Sequence, residues 1–460
     1  MNRMKLKLIW IILLAGSSLT LSGQEVGVNF NQSLQHSVPE DLNRVETTWV
    51  RGFLRFFPMY NNPEQLNEDP DLDDFLELQD HGFKTILSIK YNFHDKAIPN
   101  VNSEEMANYK DFMQQVLDRV WGQIDIIVVG NEPFIESRSE DRNTVLVDFY
   151  QEMTRLVNAY RENHSHIPIY FGAFNRLDLP HRRYEGVKDM LEYVKNTSWM
   201  DGVDLHIHHK TQEQMISMID YAQERIRTDQ KIIITEFSLV WYWKDHMDET
   251  ISEYFADYYD YDPTWKNYEY IDYALKNPRA KDEWSDFLKN SDWFVAKEHY
   301  LWDSYQVFKD YPQFHVATYS YRITWGDSFD ENSNPWLLNS LFTTETVEPD
   351  PVTGEPQLHY AFFEDFLRIQ EDSDQSDTTT TGLSNPDWSH PPLKIINPVD
   401  NHLTILNQEV GEDKSFFVLN LKGQKIHSFK GRSTNVTHLS SGLYLLVDSE
   451  HKKKIKFIKR

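Results

Sequence analysis

The 460-residue chain carries 46 Lys+Arg against 72 Asp+Glu, a formal charge of −26, with 40% hydrophobic and 26% charged residues. Those proportions fit a folded chain of up to about three domains and exclude wholesale disorder, while the acidic excess excludes nucleic acid as a partner, because phosphate neutralisation needs clustered Lys and Arg. The chain has no cysteine, which removes disulfides, thiolate metal sites, iron–sulfur clusters and cysteine nucleophiles.

The chain opens on Arg3, Lys5 and Lys7, followed by the short apolar run Leu8 to Ala15 and then small and polar residues, with Ser22 or Gly23 at a cleavage point. This reads as a signal peptide over residues 1–23. The run is far short of the ~20 residues that span a bilayer, and no later segment is apolar enough to be a transmembrane helix. The expectation is a soluble, exported monomer, secreted or held at the cell surface.

Residues 24–369 repeat a strand–helix rhythm. Strand-like runs occur at Val26–Phe30, Phe53–Phe57, Thr85–Tyr91, Ile124–Val129, Ile167–Phe171, Val203–Ile207, Lys231–Thr235 and Phe314–Tyr321. Several are nearly continuous apolar runs, as in strands buried on both faces of a parallel sheet. Between them, Met106, Tyr109, Met113, Val116 and Val120 share one helical face, as do Leu146, Phe149, Met153, Leu156 and Tyr160. Eight such units predict a (β/α)8 barrel. An open doubly wound sheet is disfavoured, since no Gly-rich phosphate loop follows the first strand. About 80 residues separate the last two strand starts, and their aromatic, acidic filling reads as an elaborated loop or helical excursion over the carboxyl-end face, lining a groove for an extended ligand.

In such a barrel the chemistry sits at the carboxyl ends of the strands. The fourth strand runs into Asn131-Glu132-Pro133 and the seventh into Glu236. A carboxylate at the end of an apolar strand carries a desolvation cost that points to function. Pro133 is expected to hold Glu132 extended, and Gly130 to admit close neighbours. Across the barrel mouth, two carboxyls ~5–5.5 Å apart perform retaining glycoside hydrolysis. Burial and mutual repulsion then raise the pKa of one while the other stays ionised. No cofactor is needed.

These strand-end motifs resemble those of the clan A retaining glycoside hydrolases. The resemblance implies Glu132 as acid/base, Asn131 as donor to the sugar 2-hydroxyl and Glu236 as nucleophile. It also implies Arg55 as the arginine that pairs with the nucleophile, and Trp325 as the platform under the sugar. Asp204-Leu205-His206-Ile207-His208 resembles the clan's Asp-x-His-x-Tyr, with His208 in place of the tyrosine. Asn92, Tyr91, Asn175, Trp241 and Trp243 are further residues that could reach the cleft. The His206-x-His208-His209 cluster also admits a metal-dependent hydrolase, although the assignment here is no metal. A non-catalytic glycan-binding surface protein is the other alternative.

Residues 370–392 are polar, Thr-rich and Pro-bearing and read as a linker. Residues 393–460 alternate in short runs and predict a small β-sandwich. This stretch holds 12 Lys+Arg and 6 Asp+Glu, whereas the remainder holds 34 and 66. Asn397-Pro398, Leu421-Lys422-Gly423, Ser441-Gly442-Leu443-Tyr444 and the basic end Lys456 to Arg460 resemble the C-terminal sorting domain of the type IX secretion system of Bacteroidetes. That resemblance implies the type IX secretion machinery as a partner, beside a polysaccharide or oligosaccharide substrate.

Overall fold

The computed structural model describes residues 24–377 apart from 31–33, 36 and 327, and residues 399, 401–405, 414–420, 425–440, 442–448 and 454–459. The signal-peptide reading, most of the linker and part of the sorting motifs lie outside those residues. The chain divides into two compact units, Met1–Thr380 and Thr381–Arg460. Among the described residues no helix is long and apolar enough to cross a membrane.

Eight parallel strands close into a barrel in chain order: β1 (Glu25–Phe30), β2 (Trp49–Arg55), β3 (Lys84–Lys90), β4 (Ile126–Val129), β5 (Ile169–Asn175), β6 (Gly202–His208), β7 (Lys231–Ser238) and β8 (Phe314–Arg322). This is the (β/α)8 barrel that the sequence rhythm predicts. The two amphipathic stretches form the helices Glu104–Val120 and Thr144–Arg161, with their apolar faces buried.

Side chains alternate across each strand, and the barrel interior is layered accordingly. Trp49, Ile86, Ile126, Val128, Tyr170, Ile233 and Val316 form a separate apolar cluster. Two residues further along four of these strands the interior turns polar with Arg51, Ser88, Thr235 and Thr318, joined by Asp204 of β6, all fully buried. An apolar floor therefore carries a polar layer that opens at the carboxyl ends.

Several strand boundaries shift by one to four residues, and two differences change the reading. β2 begins at Trp49, four residues before the expected start, because a buried Arg51 interrupts what would otherwise be an apolar run. The helix that follows the barrel runs Tyr360–Asp377, so residues 370–377 are helical rather than linker. That helix is fixed by Gln370 Nε2 donating to Val26 O at 2.7 Å and by Lys309 Nζ on Asp372 at 2.6 Å.

The second unit contains an antiparallel sheet and a strand pair. Its strands are β9 (His402–Thr404), β10 (Ser415–Leu419), β11 (Lys425–Lys430), β12 (Ser433–Asn435), β13 (Gly442–Asp448) and β14 (Lys454–Lys459). The sheet order is β11-β10-β13-β14, and β12 pairs with β9. Val399, Leu403, Ile405, Phe416, Val418, Val436, Leu439 and Leu446 form its core.

Close strand contact in the barrel depends on Gly202, where an added Cβ would stand 1.9 Å from the Lys231 carbonyl oxygen. Backbone cannot yield as a side chain can. Gly202→Ala is therefore expected to lower stability by ~1–3 kcal/mol or more, read as a fall in the urea midpoint followed by circular dichroism.

Candidate active site

At the end of β4, Gly130 has φ 118°. An added Cβ there would meet the Tyr150 ring at 2.9 Å and the Gly172 carbonyl oxygen at 3.1 Å. The chain then turns through Asn131 into Glu132, whose φ is 41°. Glu132 is thus left-handed, not extended as Pro133 led us to expect. Its carbonyl accepts from the Ile135 and Glu136 amides at 2.8 and 2.9 Å, which closes the turn. A non-glycine residue held there costs on the order of 1–3 kcal/mol and persists only where its surroundings enforce it.

Register shifts aim the other side chains. One lies between Gly172 and Phe174 of β5 and sets Asn175 opposite His206. Another lies between Asp204 and His206 of β6 and sets His206 opposite Glu236. Such bulges re-aim side chains next to active sites. Here they bring Asn175, His206 and Glu236 to the same rim as Glu132.

The carboxylates meet at His206. Its Nδ1 lies 3.1 Å from Glu132 Oε1 and 3.5 Å from Glu236 Oε2. The two carboxylate oxygens can be no further apart than the sum of those lengths. Asn175 Nδ2 also donates to Glu132 Oε1. On the opposite side of the ring, His206 Nε2 is 3.1 Å from Thr235 Oγ1, which donates to Asp204 at 2.6 Å. His208 Nε2 lies 3.4 Å from Glu236 Oε2 and its Nδ1 2.8 Å from Ser238 Oγ. His208 therefore contacts Glu236 directly. His209 turns away to Thr211 O and the Tyr300 hydroxyl.

The arginine beside Glu236 is Arg51 and not Arg55. Arg51 is fully buried; Nη1 donates to Glu236 Oε1 at 2.8 Å, Nη2 to Asn131 Oδ1 at 2.9 Å and Nε to Ser88 Oγ at 2.9 Å. Its guanidinium lies 3.6 Å from the Phe53 ring centroid. Arg55 stands on the same face of β2 but at the exposed rim. Sequence reading placed the arginine at the strand end because it started the strand too late.

Charges follow from these contacts. Burial pushes Glu236 up, but the fields of His206 and Arg51 and the His208 hydrogen bond outweigh it and hold the carboxyl well below its ordinary range. Burial likewise opposes ionisation of Glu132, and the His206 hydrogen bond and charge reverse the balance, leaving it lowered. Burial would depress His206, yet Glu236 and Glu132 together raise it. The expectation that one of the two glutamates is raised is therefore corrected: both are lowered, and the imidazole between them is raised. A third carboxylate, Glu136, is pushed by burial up to about 7 against the pull of Lys90. Lys90 Nζ is 2.6 Å from Glu136 Oε1, which also accepts from Asn131 Nδ2 at 2.8 Å.

A cleft of about 650 Å³ lies over these groups, within the usual range for ligand sites, and is lined in part by Asn131, Glu132, Asn175, His208, Glu236, Trp241 and Trp325. The side chains of Glu132 and Glu236 remain 17% and 25% exposed, so a ligand can reach both. Trp336, which sequence reading missed, also lines it and packs edge-on against His208 at 4.8 Å. Asn92 does not line this cleft; it lines an adjoining one of about 410 Å³ with Arg55. Tyr91 and Trp243 are fully buried in packing.

Glu132, His206 and His208 each offer a ligand atom within 4.8 Å of the others, so a cation at this site would be held there. The Arg51 guanidinium, 2.8 Å from Glu236 Oε1, already brings a positive charge beside these groups, which opposes a further cation.

The fold and the paired glutamates define a (β/α)8 protein with a carboxylate-based site at the carboxyl ends of its strands. No protein-family model matches the sequence, and no curated protein matches it. Among solved structures, the chain is similar to a GH10 endoxylanase from a sugarcane soil metagenome (13% identity, 76% of this chain and 97% of that one, TM-score 0.46). It is also similar to xylanase 10B from Thermotoga maritima (11%, 78% and 97%, TM-score 0.43). A third similarity is to Bacteroides uniformis β-glucuronidase 2 (11%, 95% and 46%, TM-score 0.42), of which the chain spans about half the length.

Arg51→Met is expected to lower kcat/KM by about 10²-fold or more, the scale for removing one fixed electrostatic contact. Because Glu236 then loses a positive neighbour, the acidic limb of the pH profile should move to higher pH. Steady-state kinetics across pH measures both.

Proposed function

We propose that this protein is an exported retaining glycoside hydrolase that cleaves within a β-linked polysaccharide. The observation that carries the reading is the pair of glutamates converging on one imidazole nitrogen in an open cleft. The ceiling this sets on their separation accommodates the ~5–5.5 Å of retaining enzymes and barely reaches the ~6.5–9.5 Å that an inverting enzyme needs for its water.

Glu236, kept ionised by Arg51 and the two histidines, attacks the anomeric carbon. Glu132 delivers a proton to the departing glycosidic oxygen, and that proton reaches it from His206 Nδ1. The C–O bond to the leaving sugar breaks as the ester to Glu236 forms. Water then attacks the same anomeric carbon, the C–O bond to Glu236 breaks, and the proton water loses to Glu132 passes back to His206 Nδ1. The cleft over the glutamates, about 650 Å³, and the one on the other side of Lys90, about 410 Å³, each exceed the space of one sugar ring, which supports cutting inside a chain. The aromatic excursion after β7 supports it less than its composition suggests, since Phe255, Tyr270, Trp284 and Phe287 are buried in packing.

Incubation with β-1,3- and β-1,4-glucans, mannan, xylan and galactans, together with polyuronates and sulfated galactans, should release oligosaccharides from one of them, with retained anomeric configuration by proton NMR. Release of monosaccharide alone would overturn internal cleavage. Glu236→Gln should lose roughly 10⁴-fold or more in kcat, and EDTA should change nothing. Equal activity of Glu236→Gln and wild type would return the chain to the class of glycan-binding proteins.

The rate profile follows from the same charges. Glu236 is lowered from 4.5, so the acidic limb should lie below that value. His206 is raised from 6.5, so the proton needed by Glu132 should persist above it. A kcat/KM profile already half-lost on the alkaline side below pH 6.5 would contradict a proton held at His206.

Export and type IX sorting by residues 393–460 rest on the motifs and on the net positive charge of that stretch. In a type IX host, deletion of residues 393–460 should leave the protein cell-associated in the periplasm, as read by fractionation.

A further inference from the structure

The charges that line the clefts run against the charge of the chain. Carboxylates outnumber Lys and Arg by 26, yet Lys90, Arg176 and Arg182 line the cleft over the glutamates, and Arg55, Lys90 and Lys96 line the adjoining one. Lys90 belongs to both walls, so the clefts adjoin. Among the described residues, Asp95 is the only carboxylate in either lining apart from Glu132 and Glu236.

Three of these cations are accounted for. Lys90 is paired with Glu136 at 2.6 Å. Arg176 is held by Asp178 through two contacts of 3.0 Å. Lys96 donates to the Tyr109 hydroxyl at 2.6 Å, with Glu105 at 4.0 Å. Arg182 and Arg55 are different. Among the described residues neither has a carboxylate partner, and the Nε of the half-buried Arg182 is buried without a hydrogen-bond acceptor. In a chain so rich in carboxylates, an unpaired guanidinium in a cleft is not explained by scarcity of partners. A desolvated N–H without an acceptor is costly to the free protein. The cost is removed when an oxyanion arrives, and the planar guanidinium fork suits carboxylate and sulfate oxygens alike.

We propose that the glycan substrate is polyanionic, with uronate carboxylates or sulfate esters on its sugar units. Arg182 binds one such group beside the catalytic pair, and Arg55 binds another further along the cleft. This rests on the glycosidase reading above and narrows its substrate to oxyanion-bearing polysaccharides. Lys96, stacked 4.1 Å over the Phe57 ring, adds positive potential at the outer cleft. Converging positive potential against a negative surface focuses an anionic ligand into the cleft.

Binding can be measured without cleavage. Full-length Glu236→Gln would be titrated calorimetrically at low salt with oligosaccharides from polyuronates, from sulfated galactans and from chemically desulfated galactans, beside neutral xylan and glucan oligosaccharides. The expected result is binding of one anionic class at least 10-fold tighter than any neutral glycan, weakening steeply as salt rises. Preference for the polyuronate or for the sulfated arm identifies the group. Arg182→Met and Arg55→Met, each made in Glu236→Gln, should each weaken that binding about 10-fold, and Arg182→Lys should restore part of it. Neutral glycans binding as well as anionic ones, or anionic binding unmoved by both arginine substitutions, would overturn the proposal. Tight anionic binding with no hydrolysis by the wild type of any glycan would instead refute the glycosidase reading and leave this one standing.

Discussion

The site is organised by one buried cation. A guanidinium taken out of water is tolerable only if charge and hydrogen bonds are returned to it, and Arg51 receives both. Glu236 supplies the charge, Asn131 and Ser88 supply acceptors, and the Phe53 ring covers one face. These partners come from β3, β7 and the turn after β4, besides β2 itself. Satisfying Arg51 therefore fixes the positions of Glu236 and Asn131 together, and Glu132 follows Asn131 in the chain. His206 completes the charge balance by standing between the carboxylates. Ionisation of Glu236 is thus built into the polar layer of the barrel before any ligand arrives.

The same cation marks the limit of what sequence patterning could reveal. β4 and β7 are apolar runs that end at a glutamate, so their strands and their chemistry were legible together. β2 was not, because a strand with arginine at its centre reads as a break, and the nearest later arginine took its role. The bulges in β5 and β6 are equally silent. They depend on where the ladder slips, and a strict two-residue alternation does not record the slip. Trp336 was hidden for another reason: it lies on a short turn, Trp336–Leu338, well past β8, and Trp325 is the nearer tryptophan in sequence. The protonation pattern also needed coordinates. Two glutamates in isolation repel, and it is the placement of His206, aided by His208, that reverses the sign for Glu132.

The long segment between β7 and β8 acquires a structural meaning through Asn339. This buried amide accepts from the Leu239 backbone and from Trp243 Nε1, at 3.1 and 2.9 Å, and donates to Pro335 O at 3.2 Å. It therefore ties the start of the excursion after β7 to the loop after β8. Lys244 repeats the connection by donating to the Glu331 and Ser333 carbonyls. Trp243 in turn packs on Trp293 and Phe294 within the excursion. Trp241 and Trp336 project from the two tied segments, and their rings meet at 6.2 Å on the cleft wall. The excursion thus contributes few surfaces for a ligand. Its buried aromatic residues anchor the two tryptophans that face one, beside His208 and the carboxylate it contacts.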